Sequence, residues 1–191
     1  MPPPDDWTTP GPEHLKALTH PVRVRMLGML RIDGPATATT LARRLGLNSG
    51  ATSYHLRQLA THGFIEDDEE HLRIGRERWW RATSGATRTP GPDVDPGTTD
   101  AYLQAVVTVL GDQVQQAVRE RPLLPEVWRD ASDVGDWVVR ITPAKATAVR
   151  EQIAALLQDI EEDDDESAEQ FVFQHYGFPL PGRLTSGQEH A

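Results

Sequence analysis

The chain is 191 residues long, carries a formal net charge of −10 and contains no cysteine. That length accommodates one larger or two small domains with a buried core. Without cysteine there are no disulfides, thiolate metal sites or cysteine nucleophiles, and no apolar run approaches the roughly 18 residues a membrane span needs.

The charge is unevenly divided. Residues 1–90 hold 12 Lys and Arg against 10 Asp and Glu, and residues 91–191 hold 7 against 19. Without the acidic, Pro-rich head, residues 11–89 hold 12 against 8. A mildly basic N-terminal half therefore precedes a strongly acidic one, which points to nucleic acid at the basic end. Five prolines fall within residues 2–12, so 1–12 reads as a disordered head. With neither a basic n-region nor an apolar h-region it is no secretory signal, and the chain reads as cytoplasmic.

From the head onward, residues 13–18 form a first helix, stopped because Pro21 pushes His20 out of helical geometry. Pro21 opens the next helix, 21–32, with Val22, Met26, Leu27 and Leu30 as its apolar stripe. Thr37 caps a third helix that ends at Leu45. Gly46, Leu47 and Asn48 make a tight turn, and Ser49 caps a fourth helix, 50–62, that buries Thr52, Leu56 and Leu59. Residues 64–67 and 76–83 follow as two strands around a turn at 69–75. Residues 84–98, with three prolines and three glycines, read as a linker and domain boundary.

Two helices joined by a short Gly-containing turn and followed by a hairpin describe a winged helix-turn-helix, over residues 13–83. With Thr52, Leu56 and Leu59 inward, Ser49, Gly50, Ser53, Tyr54, Arg57 and Gln58 face outward. Ser53, Tyr54 and Arg57 are the candidates for the major groove, because arginine can clamp guanine or phosphate with two hydrogen bonds. Ser49 and the free amides behind it can hold a phosphate. Thr37, Arg43 and Arg44 lie where the DNA backbone would cross, and Arg73, Arg76 and Arg78 on the wing could reach neighbouring phosphates. His55 reads as a packing residue, and at least one of Trp79 and Trp80 as core. The histidines lack paired ligand spacing, so no metal site and no cofactor is expected.

The motifs His20-Pro21-Val22-Arg23 and His55-Leu56-Arg57-Gln58-Leu59, with the helix order around them, resemble the winged-helix domain of ArsR-type transcriptional regulators. The resemblance implies a homodimeric repressor or activator on an imperfect palindrome of double-stranded DNA, released by a small-molecule or protein effector. Three departures qualify it. The family's thiolate sensor is impossible here, and residues 100–121 contain no histidine for the zinc pattern of its long dimer helix. Residues 66–70 put five consecutive acids on the wing, which weakens phosphate attraction.

In the acidic half, Thr98, Thr99 and Asp100 cap a long helix to about residue 121 with a broad apolar face. A second copy covering that face would give a two-fold dimer through Tyr102, Leu103, Val106, Val107, Leu110 and Val114, joined by Leu15 and Leu18. Residues 136–142 (DWVVRIT) alternate like a strand, Pro143 opens a helix, and residues 170–176 read as a second strand. This strand-helix-strand unit completes a dimerisation or effector region at 99–178, followed by a flexible tail at 179–191. The six acids at 161–166 lack the glycine and ligand spacing of a calcium loop and read as a solvated loop.

The expected fold is mainly α with a small β component (α+β), and the expected function is sequence-specific DNA binding. The competing reading is a protein-interaction adaptor that keeps the winged fold without binding DNA, favoured by the acidic wing. No Gly-rich phosphate loop, G-x-S-x-G or metal cluster suggests an enzyme.

Overall fold

Proline at position 21 fixes the start of the central helix, α2 (Pro21–Ile32), as the sequence predicts. His20 before it is held extended, and its Nδ1 accepts a hydrogen bond from the Val22 N–H at 3.2 Å. In this computed structural model residues 7–8, 10–72, 77–87 and 93–184 are described. The chain falls into two units, Met1–Pro125 and Glu126–Ala191. The division thus lies after the long helix, not within 84–98.

Around α2 the first unit follows the predicted order. The helix expected at 13–18 is a short α1 (Pro12–Leu15) continued by a 3₁₀ turn, Lys16–Leu18. Thr37 caps α3 (Ala38–Leu45), its hydroxyl accepting from the Thr40 N–H. Gly46 then takes the left-handed conformation (φ 65°), which lets the Leu47 N–H close back onto the Ala42 carbonyl at 2.9 Å. The fourth helix, α4 (Ser49–Thr61), starts one residue earlier than predicted. Its cap is Asn48, whose side chain accepts from the Ala51 N–H at 2.8 Å, and not Ser49.

The wing is built from β3 (Ile65–Asp67) and β4 (Trp79–Ala82), with a short α5 (Glu69–Leu72) at the start of the expected turn. A third strand, β2 (Ala36–Thr37), lies in the connection between α2 and α3. The sheet order is β2-β4-β3, all antiparallel, with Ala36 opposite Trp80 and Glu66 opposite Arg81. The head and linker also contribute, contrary to expectation. Trp7–Thr8 (β1) pairs in parallel with Ala86–Thr87 (β5). Arg31 anchors the segment leading into β5 of this separate two-stranded sheet, donating to the Ser84 carbonyl at 2.8 Å and to the Thr87 hydroxyl at 3.0 Å.

The long helix α6 (Pro96–Glu120) begins at a proline and is capped by Asp95, which accepts from the Gly97 and Thr98 amides, so the cap precedes the predicted one. Tyr102 on α6 joins Leu15, Leu18, Met26, Leu27, Leu30, Leu41, Leu56, Leu59, Phe64 and Trp80 in one core, and Ala105 one turn on is also buried. Arg25 on α2 pairs with Asp112 on α6.

In the second unit, α7 (Glu126–Ala131) and α8 (Pro143–Gln158) form, with Thr142 capping α8. The two strands expected at 136–142 and 170–176 do not: no strand occurs among residues 126–184. A strand is stable only when a neighbour takes its N–H and C=O groups, and these segments do not pair with each other.

The cap assignment is testable by urea denaturation. Asn48→Ala should cost about 1 kcal/mol and Ser49→Ala less than about 0.5 kcal/mol. Equal losses would return the cap to Ser49.

Candidate nucleic-acid interface

One buried stripe orients α4. Thr52, Leu56 and Leu59 are fully buried, and Thr52 also donates its hydroxyl to the Asn48 carbonyl at 3.0 Å. The opposite side therefore points outward: Ser49, Gly50, Tyr54 and Arg57 are exposed, and Ser53 and Gln58 are half-buried. Arg57 donates Nε–H to the Ser53 carbonyl at 3.2 Å, which steadies the guanidinium along the helix while its other N–H groups remain available. It has no carboxylate partner among the described residues.

Next to this face is a cleft of about 290 Å³, lined by Thr39, Ser53, Arg57, Glu77, Arg78 and Trp80 among others. Thr39 and Glu77, which the sequence reading missed, bridge its two sides: the Thr39 hydroxyl donates to Glu77 Oε1 at 2.9 Å. Only the three-dimensional approach of β4 to the start of α3 brings them together. Thr37, expected as a DNA contact, is buried (3 % exposed), and its hydroxyl serves the cap of α3. Arg43 is exposed, while Arg44 is paired with Asp33 at 2.8 Å.

On the wing, Arg78 is doubly held. Its Nε and Nη2 both donate to Asp67, the second at 2.8 Å, and its guanidinium lies 4.0 Å from the centre of the Trp80 ring. The hydrogen bond from Arg78 keeps the Asp67 carboxyl below its ordinary pKa. The next acid along, Glu66, pairs with Arg81 opposite it, at 2.6 Å. Asp68 is buried and accepts from the Glu70 N–H at 3.0 Å and the His71 N–H at 3.4 Å, with His71 Nδ1 3.0 Å away. Burial alone would raise the pKa of Asp68, but these hydrogen bonds outweigh it and the net shift is downward. Three of the five wing acids thus have partners within the chain. Arg73 and Arg76, the other two wing candidates, lie outside the described residues.

Behind α4 the histidines gather in two pairs. His20 and His55 rings are 4.7 Å apart, with Tyr54 5.5 Å from His55, and His14 and His62 meet edge-on at 6.2 Å. Arg23 Nε and His55 Nδ1 are buried without a hydrogen-bond partner. Burial first, then His20 and Arg23, push the His55 pKa down; burial, then His14 and Arg23, do the same for His62. His55 is a packing residue, as read from sequence. Among the described residues no group of three or more His, Cys, Asp or Glu could hold a metal ion.

The residues expected at a dimer interface divide in two. Leu15, Leu18 and Tyr102 are buried in the chain's own core, where burial also raises the Tyr102 pKa. Their apolar surface is already covered, so they are not free for a second copy. Leu103 and Val107 are exposed, and Val106, Leu110 and Val114 are half-buried along α6.

Residues 18–68 match a family model described as a helix-turn-helix domain. Over 60 residues the chain is 38% identical to the HTH-type transcriptional regulator YgaV of Escherichia coli (strain K12), covering 31% of this chain and 61% of that protein. The chain therefore spans less than two thirds of the relative's length. With β2, β3 and β4 packed beside α2, α3 and α4, the first unit contains a winged helix-turn-helix. No helix among the described residues is long and apolar enough to cross a membrane.

The lowered histidine pKa values set a pH dependence. Unfolded His titrates near 6.5 and the folded His55 and His62 lower, so the folded state binds fewer protons as the pH falls below that value. Stability should be complete above about pH 6.5 and decline as the pH falls through the folded values, a window well above that of the lowered carboxylates. Urea unfolding between pH 7.5 and 5.5 measures the slope. His55→Gln should flatten it, and an unchanged slope would remove His55 from the effect.

Proposed function

We propose that this chain is a sequence-specific, DNA-binding transcriptional regulator of the ArsR type. It acts in the cytoplasm as a homodimer on a palindromic operator, without thiolate metal sensing. The observation that carries the reading is the outward face of α4, where Ser49, Gly50, Tyr54 and an arginine without a carboxylate partner, Arg57, stand together on a fixed helix. In this reading Ser53, Tyr54, Arg57 and Gln58 enter the major groove, and Arg43 with the amides behind Asn48 and Ser49 meets the phosphates. The similarity to a protein described as a transcriptional regulator supports the same function. The exposed and half-buried apolar residues of α6, Leu103, Val106, Val107, Leu110 and Val114, support its use as a dimer helix. An effector, whether a small molecule or a protein, would bias that dimer.

One observation favours the adaptor reading. Asp67 and Glu66 neutralise Arg78 and Arg81, so the described part of the wing offers little free positive charge. Salt separates the two readings. Binding to phosphates should fall steeply between about 50 and 200 mM salt, whereas an apolar adaptor interface should hardly respond.

Two substitutions test the geometry by fluorescence anisotropy on a selected operator. Arg57→Ala should cost about 1–3 kcal/mol of specific affinity and leave the melting temperature unchanged; full affinity would remove Arg57 from the groove. Asp67→Asn frees Arg78 and should strengthen binding, steepening the salt dependence by about 0.9 per protomer. An unaltered slope would mean that Arg78 never approaches a phosphate.

A further inference from the structure

The second unit has no interior of its own. Among residues 126–184 none is buried, and Val127, Trp137, Val138, Val139, Leu156, Phe173 and Phe178 are all more than 60 % exposed. Such a density of open apolar surface marks a binding face. The 170s segment has at least one anchor within the unit, because Phe171 stacks 6.3 Å from Trp128 and 5.0 Å from Phe173. Residues 136–141 have none. They alternate as a strand does, yet their backbone enters no ladder, and Trp137 is 82 % exposed.

A segment of this kind needs a strand beside it, and its own sequence specifies which. Asp136, Val138 and Arg140 share one face of such a strand, and Trp137, Val139 and Ile141 the other. When two copies of the segment run antiparallel, the apolar side chains stay on one face only if the two-fold axis passes through a residue and not between two. About Val139, Asp136 would oppose Thr142 and Arg140 would oppose Val138. About Val138, Asp136 of each copy opposes Arg140 of the other, forming two ion pairs, and Trp137 opposes Val139. The apolar face then gathers Trp137, Val139 and Ile141 from both copies.

We infer that residues 136–141 form an antiparallel strand pair with the same segment of a second copy of this chain, centred on Val138. The charge complementarity of Asp136 with Arg140 selects this occupant and this register. Neither the α6 face nor DNA binding carries this inference.

The cysteine-free chain makes the register directly readable. Val138 lies at an exposed position, so Val138→Cys is compatible with folding of the full chain. Opposed antiparallel residues lie about 4.5–5.5 Å apart between Cα atoms, within disulfide reach, whereas Val139 and its own mate would be more than about 8 Å apart. Under mild oxidation Val138→Cys should give covalent dimers at least about tenfold faster than Val139→Cys. Asp136→Arg should slow the Val138→Cys cross-link, by about twofold to thirtyfold for two symmetric cross-strand pairs. Adding Arg140→Asp to it should restore the rate.

Equal rates for the two cysteine variants, or no cross-link in a chain that sediments as a dimer, would overturn the proposal. So would a monomer in which Val138→Cys and Val172→Cys together close within one chain, since the segment would then pair in cis. Each of these outcomes can be read without DNA, so loss of operator binding and loss of this strand pair remain distinguishable.

Discussion

Helix α4 packs through Thr52, Leu56 and Leu59 onto a core that also holds Met26, Leu27 and Leu30 of α2 and Trp80 of the wing. Each large-to-small change in such a stripe typically costs about 2–5 kcal/mol, so the helix cannot turn about its axis without losing much of the domain's stability. Because the buried stripe is fixed, so is the opposite one, and Ser49, Tyr54 and Arg57 are presented with no further device. The exposed chemistry of α4 is therefore a consequence of packing. Arg57 needs only one local hydrogen bond, to the Ser53 carbonyl, to be held along the outward side of the helix.

Around this fixed helix the charges are arranged pairwise. The acids at 66–70 looked like an obstacle to DNA, yet Glu66 and Asp67 lie opposite or next to arginines across the β3–β4 pair, and Asp68 is consumed in starting α5. These ion pairs are exposed and each contributes at most about 1 kcal/mol to stability. Their larger effect is on the field at the wing, where two arginines and two acids nearly cancel. Among the described residues Arg57 on α4 and Arg43 on α3 are exposed and have no such carboxylate clamp. The cleft beside α4 holds Glu77, tied to Thr39, so a carboxylate stands next to the outward face of the helix.

The order and type of the elements in the winged domain were legible in the sequence because local signals agree with burial. Pro21 opens α2, Thr37 caps α3, Gly46 accepts a positive φ, and the i, i+4, i+7 spacing on α4 is the buried stripe. What escaped the reading was set by distant contacts. β2 is two residues long and exists only because Trp79 and Trp80 pair with it. β1 needs Ala86 and Thr87, far along the chain, and Asn48 took the cap that Ser49 could equally have provided. At the site, Arg57 and Tyr54 were legible from periodicity, whereas Thr39, Glu77 and the Asp67 clamp follow from tertiary approach. Thr37 was misplaced because a good cap residue is also a plausible phosphate contact, and burial chose the first.

The failure of the predicted C-terminal strands is of a different kind, since the alternation in DWVVRIT is real. Alternation states that one face wants cover and the backbone wants a ladder, but it does not name the neighbour. In β3 and β4 both requirements are met within the chain, and both strands form. In residues 136–141 neither is met, although the same chain offers a second alternating segment some 30 residues later. A sequence pattern that is correct in period and unsatisfied in a single copy is information about assembly. Six of the 19 acids of residues 91–191 lie consecutively at 161–166, and residues 136–141 hold one acid and one base placed four residues apart. That spacing returns each charge to its opposite when the segment meets itself in reverse, a match that an unrelated strand would satisfy only by chance.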